Sequence, residues 1–252
     1  TQTLTLTISQ QCPATPGQPE KMPLHIPLRM GLLKPDGSSA LCRVQGRQDA
    51  QQEVILHLTE AEQVFVFEDL SEAPVVSILR GFSAPVKLDM ERDLDELAFL
   101  LRHDNDAFNR WEAGQQLASN VIMGLLADWR TGREMRVDPM IVETFGHLLT
   151  QEWEDLSYFA LLLSLPSESY LAEQMSVIDV EGIHRAREQL MSILADQLQQ
   201  SFLGLYQTYH HDESGQFDSG AMGRRRIKNA CLAYLSTVSY THLRAHETVL
   251  DL

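Results

Sequence analysis

The sequence has few cysteines and no long apolar segment, and each shortage excludes a class of protein. Cys12, Cys42 and Cys231 are an odd number without C-x-x-C spacing, so they predict neither a disulfide framework nor a zinc knuckle. We expect reduced thiols in a cytoplasmic protein. No run of about 18 apolar residues is present, so no transmembrane helix is predicted. The N-terminus lacks the basic start and apolar stretch of a signal peptide, and it begins with Thr1 rather than Met, as if within a domain.

Basic residues are also in the minority, with 20 Lys and Arg against 35 Asp and Glu and a formal net charge of −15. This charge repels phosphate backbones and anionic lipid, so we expect neither a nucleic-acid partner nor a membrane partner. The basic cluster of Arg224, Arg225, Arg226 and Lys228 is predicted to be a charged face that pairs with acidic neighbours rather than a phosphate site.

Proline is nearly absent from the second part of the chain. Eight of the ten prolines lie within residues 1–90, and only Pro139 and Pro166 follow. Helix interiors exclude proline because it lacks the backbone N–H and its ring clashes with the preceding turn. The distribution therefore predicts strands and turns in residues 1–90 and helices in the remainder.

Alternating hydrophobicity agrees with strands in the first part. Leu4, Leu6 and Ile8 alternate with threonines, as a strand with one buried face requires. Further strands are predicted at 24–32, 40–45, 53–58, 63–68, 75–80 and 84–90. Seven short strands predict an immunoglobulin-like antiparallel β-sandwich domain over residues 1–90. Pro23 and Pro27 indicate an edge strand or a bulge.

Helical periodicity begins after Met90. An apolar stripe over 108–129 predicts a long helix, with Asp104 or Asn105 as its N-cap and Gly132 as its stop. More helices are predicted to begin after Asp138, Asp155 and Asp179, and a last one carries the stripe 227–235. Helices joined by short loops predict an armadillo- or HEAT-like α-solenoid over residues 91–236.

Two segments carry residues that bind metals elsewhere, but neither has the complete set. His242 and His246 are four residues apart, yet Leu243 stands where a zincin needs its general-base Glu. The run 210–213 is predicted to be a solvated loop, because adjacent residues rarely converge on one ion. We therefore predict no catalytic, cofactor-binding or metal-binding residue in this chain.

Five separated segments resemble the bacterial aminopeptidase N family, in the order found after that family's catalytic domain. They lie within 3–10, 13–28, 61–67, 83–88 and 97–117, the last reading LAFLLRHDNDAFNRWEAGQQL, and RRRIKNACLAYL at 224–235 resembles a later segment. The resemblance implies a small β-sandwich followed by a helical-repeat domain that is truncated here.

That family consists of zinc enzymes that remove N-terminal amino acids from peptides, with the metal held by H-E-x-x-H and a downstream Glu. This motif is missing here, and Gly220-Ala221-Met222 continues with Gly223 and Arg224 where the family has Glu-Asn. The resemblance therefore implies a non-catalytic C-terminal fragment, inactive alone and without zinc. Its sandwich is expected to be a spacer and its helices part of a cap over the substrate chamber. Its partner would be the missing catalytic domain, and peptides would bind only the full parent.

The alternative interpretation is a stand-alone protein–protein interaction module that uses the sandwich edge or the solenoid groove. In-frame H-E-x-x-H and Gly-Ala-Met-Glu-Asn motifs upstream in the gene would favour the fragment, and a start codon directly before Thr1 would favour the module. Because a truncated solenoid exposes its last helix, we also expect the stripe 227–235 to be less buried than Trp111 or Leu125.

Residues 237–252 are predicted to be a non-native tail that departs from the family. Residues 236–241 are rich in hydroxyl and β-branched side chains with poor helix propensity, and the apolar area beyond them is too small to offset the entropy of ordering. Deleting 237–252 should therefore leave the midpoint of thermal unfolding within about 4 °C of the intact chain. A larger fall, measured by calorimetry, would show that the tail packs.

Overall fold

The computed structural model describes residues 2–210 and 218–237, and the chain divides into two compact units, Thr1–Ala113 and Gly114–Leu252. The strands are β1 (Gln2–Ser9), β2 (Ile26–Leu33), β3 (Arg43–Val44), β4 (Glu53–Leu58), β5 (Glu62–Leu70) and β6 (Val75–Ile78). The helices are α1 (Leu94–His103), α2 (Ala107–Arg130), α3 (Pro139–Thr150), α4 (Leu156–Leu162), α5 (Glu168–Glu173), α6 (Val180–Gln197), α7 (Gln199–Thr208) and α8 (Ser219–Leu235). The predicted order of strands followed by helices is confirmed.

The strands of the first unit form two three-stranded antiparallel sheets, ordered β1-β5-β3 and β4-β2-β6. Alternate residues of β4 are buried, because successive side chains of a strand point to opposite faces. Met30, Leu32, Leu56 and Phe67 are fully shielded from solvent in the shared core. The predicted antiparallel sandwich is thus confirmed.

Pro27 lies in the middle strand of its sheet, where a missing N–H would normally break a ladder. There β2 pairs with β4 alone, because β6 reaches only Met30–Leu33. Nearby, the backbone N–H of Arg29 donates to the hydroxyl of Ser83 at 2.9 Å instead of to a strand. The predicted edge strand is therefore wrong, because β2 is the central strand of its sheet; Pro27 is tolerated at the end of β2 that has a single neighbour.

The seventh predicted strand, 84–90, is wrong. No strand or helix spans 83–93; Pro85 offers no ladder donor, and the N–H of Val86 bonds to the carbonyl of Ala84 in a tight local turn. The strand predicted at 75–80 also ends early, at Ile78, since Leu79 adopts φ 62°. Between these two segments a short 3₁₀ helix, Arg80–Phe82, reverses the chain.

This turn places Arg80 in the interior, where it is 4% exposed. Its guanidinium donates to Asp104 Oδ1 at 3.0 Å, Glu53 Oε2 at 3.2 Å and Ser77 Oγ at 2.9 Å, and it also contacts Asn105. A Cβ at Gly31 would lie 2.8 Å from the guanidinium, so a larger residue there would displace it. We name Arg80, Glu53, Ser77, Asp104 and Asn105 the Arg80 cluster.

The Arg80 cluster links strands β4 and β6 to the segment between α1 and α2. Asn109 of α2 adds hydrogen bonds to Ser77 Oγ and to the carbonyl of Ile78, both at 2.9 Å. Residues 94–113 are helical yet belong to the same compact unit as the strands. The domain boundary predicted at 90/91 stays a prediction.

Helix α2 begins with a different cap from the predicted one. Asp106 Oδ1 accepts from the N–H of Asn109 at 2.9 Å, whereas Asp104 ends α1 and bonds to Arg80. Asp104 and Asn105 were therefore wrong as N-caps, because both are engaged in the Arg80 cluster. Gly132, at φ 69°, follows the end of α2 as predicted.

In the second unit the predicted helix starts are confirmed. The carboxylates of Asp138, Asp155 and Asp179 each accept backbone N–H bonds from the first turn of α3, α4 and α6. Helices α5 and α7, of 6 and 10 residues, were not predicted, because they are too short for a full periodic stripe or run on from α6.

The expectation that the last helix is poorly buried is wrong. Ile227 and Leu235 are 0% and 1% exposed, against 2% for Leu125. The ring of Tyr234 stacks on Phe202 of α7 with centroids 4.4 Å apart, and its hydroxyl donates to the carbonyl of Leu163 at 2.6 Å. The apolar face of α8 packs onto the preceding helices α4 and α7.

We predict that replacing Arg80 lowers the free energy of unfolding. Arg80→Met leaves the fully buried carboxylate of Asp104 without its cation, and removing one partner of a buried pair costs about 3–5 kcal/mol. The matched control is Arg136→Ala, whose pair with Glu134 is 81% and 72% exposed and should contribute less than about 1 kcal/mol.

Denaturant unfolding of each variant measures the difference. The double variant Arg80→Met/Asp104→Asn should recover part of the loss, because neither member of the buried pair is then charged. Equal unfolding free energies for Arg80→Met and Arg136→Ala would contradict a larger stabilising contribution from the buried pair than from the exposed one.

Candidate functional site

Gly220, Ala221 and Met222, which match part of a substrate-binding motif, lie in the first turn of α8. The N–H of Ala221 donates to the carboxylate of Asp218 at 2.8 Å, so this segment is a capped helix start. Gly223 packs closely on α4, where a Cβ would lie 3.1 Å from that of Leu156. Ala221 and Gly223 thus serve the start and the packing of α8, and Gly223 stands where the family's Glu would follow.

The basic cluster forms part of the same helix. The hydrogen bond from Ala221 is the main cause that lowers the pKa of Asp218, and the positive charge of Arg224 adds to it. Arg224 therefore acts on an acidic neighbour, and the pairing predicted for the rest of the cluster stays a prediction.

The two segments whose residues bind metals elsewhere, 242–246 and 210–213, lie mostly outside the described residues. His242 and His246 lie there, as do residues 211–213 of the second segment. His210 is described, and its ring lies 5.3 Å from that of Tyr206 at the end of α7. Within residues 2–210 and 218–237, no group of three or more His, Cys, Asp or Glu is placed to hold a metal ion.

The cysteines differ in environment. Cys12 is exposed, while Cys42 and Cys231 are buried. Burial raises the pKa of the Cys231 thiol to about 12 and raises that of Cys42 as well. Since the thiolate is the reactive form, neither buried cysteine is suited to act as a nucleophile near neutral pH.

Two histidine pairings were missed by the sequence analysis. His25 Nε2 and His57 Nδ1 are 2.8 Å apart at the exposed end of the β2–β4 ladder. His184 on α6 has Nδ1 at 2.8 Å from Glu168 Oε1 and Nε2 at 3.4 Å from Glu188 Oε2. The i, i+4 spacing of His184 and Glu188 was visible in the sequence, but Glu168 reaches the ring only through the packing of α5 on α6.

Two family models match the two parts of this chain. Residues 94–249 match the family described as a domain of unknown function (DUF3458_C) with ARM repeats, and residues 1–91 match the companion family (DUF3458) with an Ig-like fold. The chain belongs to the DUF3458_C family. The Ig-like and ARM-repeat architecture predicted from proline usage and periodicity is thus confirmed.

The relatives of this DUF3458_C chain are aminopeptidases. It is 35% identical to aminopeptidase N of Escherichia coli over 243 residues, which is 96% of this chain and 27% of the relative. Aminopeptidase N of Haemophilus influenzae is 32% identical with the same coverage. The chain superposes with a TM-score of 0.78 on the crystal structure of Legionella pneumophila aminopeptidase A in complex with aspartic acid, at 27% identity, covering 98% of this chain and 27% of that one.

The chain thus spans about a quarter of the length of these aminopeptidases and corresponds to a C-terminal part of them. The resemblance to aminopeptidase N is confirmed. The family match reaches residue 249 and includes most of 237–252, which the sequence analysis placed outside the family. Apart from Thr237 that segment lies outside the described residues, and its exclusion from the fold stays a prediction. None of the described helices is long and apolar enough to cross a membrane.

We predict that the pairing of His184 makes the stability of the fold depend on pH. The hydrogen bond to Glu168, aided by the charge of Glu188, raises the pKa of His184 above its ordinary value. A raised folded-state pKa stabilises the fold below the unfolded-state pKa of about 6.5, and this stabilisation is lost as the pH rises through the folded-state value. NMR titration should therefore show a lower pKa for His184 in Glu168→Gln.

The matched control is Glu181→Gln, since Glu181 is the weakest contributor to the pKa of His184. It should shift the pKa less than Glu168→Gln. The destabilisation by Glu168→Gln should be largest on the acidic side and shrink towards alkaline pH. A pKa of His184 that is the same in both variants would contradict the assigned partner.

Proposed function

We propose that this chain is the non-catalytic C-terminal part of a zinc-dependent aminopeptidase N, whose parent removes N-terminal amino acids from peptides. The observation that carries the proposal is coverage: 96% of this chain aligns with only 27% of the E. coli enzyme. Peptide hydrolysis by the parent would then depend on residues outside this chain, including the metal ligands.

The proposed role is mechanical. The Ig-like sandwich would serve as a spacer, and the ARM-repeat helices would form part of the cap over the substrate chamber. The packing supports this role, because each unit is stabilised by its own buried contacts. These are the Arg80 cluster in the first unit and the buried apolar face of α8 in the second. The titratable groups described above act in caps, ion pairs and cores, which suits a supporting element.

The proposed partner is the catalytic part of the same parent chain, and peptides would bind only when both parts are joined. The net charge of −15 argues against nucleic acid and anionic membrane as partners, because like charges repel. Reduced, partly buried cysteines are in keeping with a cytoplasmic location.

A chimera tests the proposal. The matching segment of E. coli aminopeptidase N is replaced by residues 1–236 of this chain, and hydrolysis of aminoacyl-anilides is measured. We expect the chimera to cleave these substrates well above an E. coli enzyme truncated before the segment, because an equivalent spacer and partial cap is restored. The purified chain alone should show neither chelator-sensitive turnover nor stoichiometric zinc.

Two controls sharpen this experiment. A chimera with Arg80→Met should lose activity in parallel with its folded fraction, whereas Arg136→Ala should not. A folded chimera that is no more active than the truncated enzyme would contradict the supporting role, and zinc-dependent turnover by the chain alone would contradict its non-catalytic nature.

A further inference from the structure

Two histidines from different segments meet on the outer face of the sheet β4-β2-β6. His57 belongs to β4, where it alternates with buried leucines, and His25 immediately precedes β2. The register pairs His57 with Pro27, so His25 lies on the diagonal from His57, two residues along the neighbouring strand. Diagonal neighbours of a ladder lie within reach of long side chains. Here the ring nitrogens His25 Nε2 and His57 Nδ1 are 2.8 Å apart.

The side chain of Gln10 holds the backbone beside both histidines. Its Oε1 accepts from the N–H of Leu24 and its Nε2 donates to the carbonyl of Leu24, both at 2.8 Å, which fixes the residue before His25. The same Nε2 donates to the carbonyl of Glu60 at 3.0 Å, in the turn between β4 and β5. The two histidines are therefore positioned by the strand ladder on one side and by Gln10 on the other, with no ligand needed to bring them together.

The contact between the two rings contributes little to stability. Both histidines are exposed, so water can replace either partner, and an exposed hydrogen bond has a small net free energy. The rings are also not stacked, since their planes are tilted by 53° with the centroids 5.0 Å apart. An arrangement held by four backbone and side-chain anchors, yet of little use to the core, is free to serve a ligand that approaches from solvent.

The separation of the two nitrogens suits a metal ion whose ligands lie at right angles. Imidazole nitrogens bind zinc at about 2.0 Å, and a similar length serves for its neighbours in the first row. Two such nitrogens lie about 2.8 Å apart when the angle at the metal is a right angle, and about 3.3 Å apart when it is tetrahedral. The observed 2.8 Å matches adjacent ligands of a square-planar ion, a geometry typical of Cu²⁺ and Ni²⁺ rather than Zn²⁺.

Binding a metal here requires a change of tautomer. In the metal-free chain one imidazole donates its N–H to the other across the gap. A metal needs the lone pairs of both facing nitrogens, so the donating ring gives up that proton to solvent and takes one at its other nitrogen. Both rings are then neutral ligands and no net proton is released. Because both lie in solvent, they can turn towards one ion without disturbing the core, and water completes the coordination.

The charges around the pair act in both directions. Arg29 and Glu53, on the same face of the sheet, are 3.6 Å apart and largely compensate each other. Arg47 donates to the carbonyl of Ile55, two residues before His57, and its charge opposes a cation. The net charge of −15 of the whole chain attracts cations and offsets that repulsion.

We propose that His25 and His57 form a two-histidine site for a square-planar divalent metal ion, with Cu²⁺ preferred over Ni²⁺ and Zn²⁺. The bound ion clips the segment before β2 to β4 and stabilises the folded chain in proportion to its occupancy. The site has two protein ligands, so it differs from the groups of three or more His, Cys, Asp or Glu, none of which occurs within residues 2–210 and 218–237. It takes no part in the peptide hydrolysis proposed for the parent.

NMR of the full chain during titration with Cu²⁺ identifies the ligands, because a paramagnetic ion broadens the ring resonances of the histidines that bind it. All samples carry His242→Gln/His246→Gln, which removes the competing pair at i, i+4 spacing. We expect the rings of His25 and His57 to broaden together, ahead of His184, whose nitrogens face glutamates. Sharp resonances of His25 and His57 at one equivalent of Cu²⁺ overturn the proposal.

Single substitutions at the pair test whether both rings hold the same ion. His25→Gln and His57→Gln should each weaken Cu²⁺ binding by about 100-fold, because a second ligand on the same ion acts at high effective concentration. His184→Gln is the matched control, since it is also an exposed histidine, and it should leave the affinity unchanged. Isothermal titration measures the affinities, and circular dichroism confirms that each variant is folded. Unchanged affinity in either His25→Gln or His57→Gln overturns the proposal, as does an equal loss in His184→Gln.

The choice of metal tests the geometry. We expect Cu²⁺ to bind at least about tenfold more tightly than Zn²⁺, and to raise the thermal midpoint of the chain but not of His25→Gln/His57→Gln. Zinc binding as tight as copper binding would contradict the square-planar site. A rise in the midpoint that persists in the double variant would show that the ion stabilises the chain elsewhere.

Discussion

The first unit depends on one buried cation. Arg80 and Asp104 have side chains that are 5% and 0% exposed, so their charges have given up nearly all hydration. Such a pair is retained only if hydrogen bonds compensate for the lost water, and the guanidinium has partners on β4, on β6 and after α1. These partners explain why residues 94–113 pack with the strands although they are helical. A movement of α1 that withdrew Asp104 would separate this buried pair.

Several local backbone features make room for the Arg80 guanidinium. Gly31 leaves room for the guanidinium, and Leu79 and Phe82 take left-handed backbone conformations so that the chain can turn Arg80 inward. Arg92 lies close enough to be influenced by Asp104, and burial lowers its pKa while Glu96 and Asp104 oppose that effect. Asp104 Oδ2 has no hydrogen-bond partner among the described residues.

The function of this chain is inferred from its correspondence with longer proteins, not from chemistry within the chain. His184 and the capping carboxylates act in ion pairs and helix starts, Cys42 and Cys231 are buried, and the chain aligns with part of longer aminopeptidases.

The sequence by itself determined the division into strands and helices, the caps at Asp138, Asp155 and Asp179, and the kinship to aminopeptidase N. The division and the caps depend on local rules, since proline exclusion, capping and periodicity act within a few residues. Only the tertiary structure decided that Arg80 is buried, that 84–90 is not a strand, that Asp106 rather than Asp104 caps α2, and that α8 is sealed. A periodic pattern shows which face of an element is apolar, but the partner that covers this face is distant in sequence, and it is set by packing and by the cost of leaving a charge buried alone.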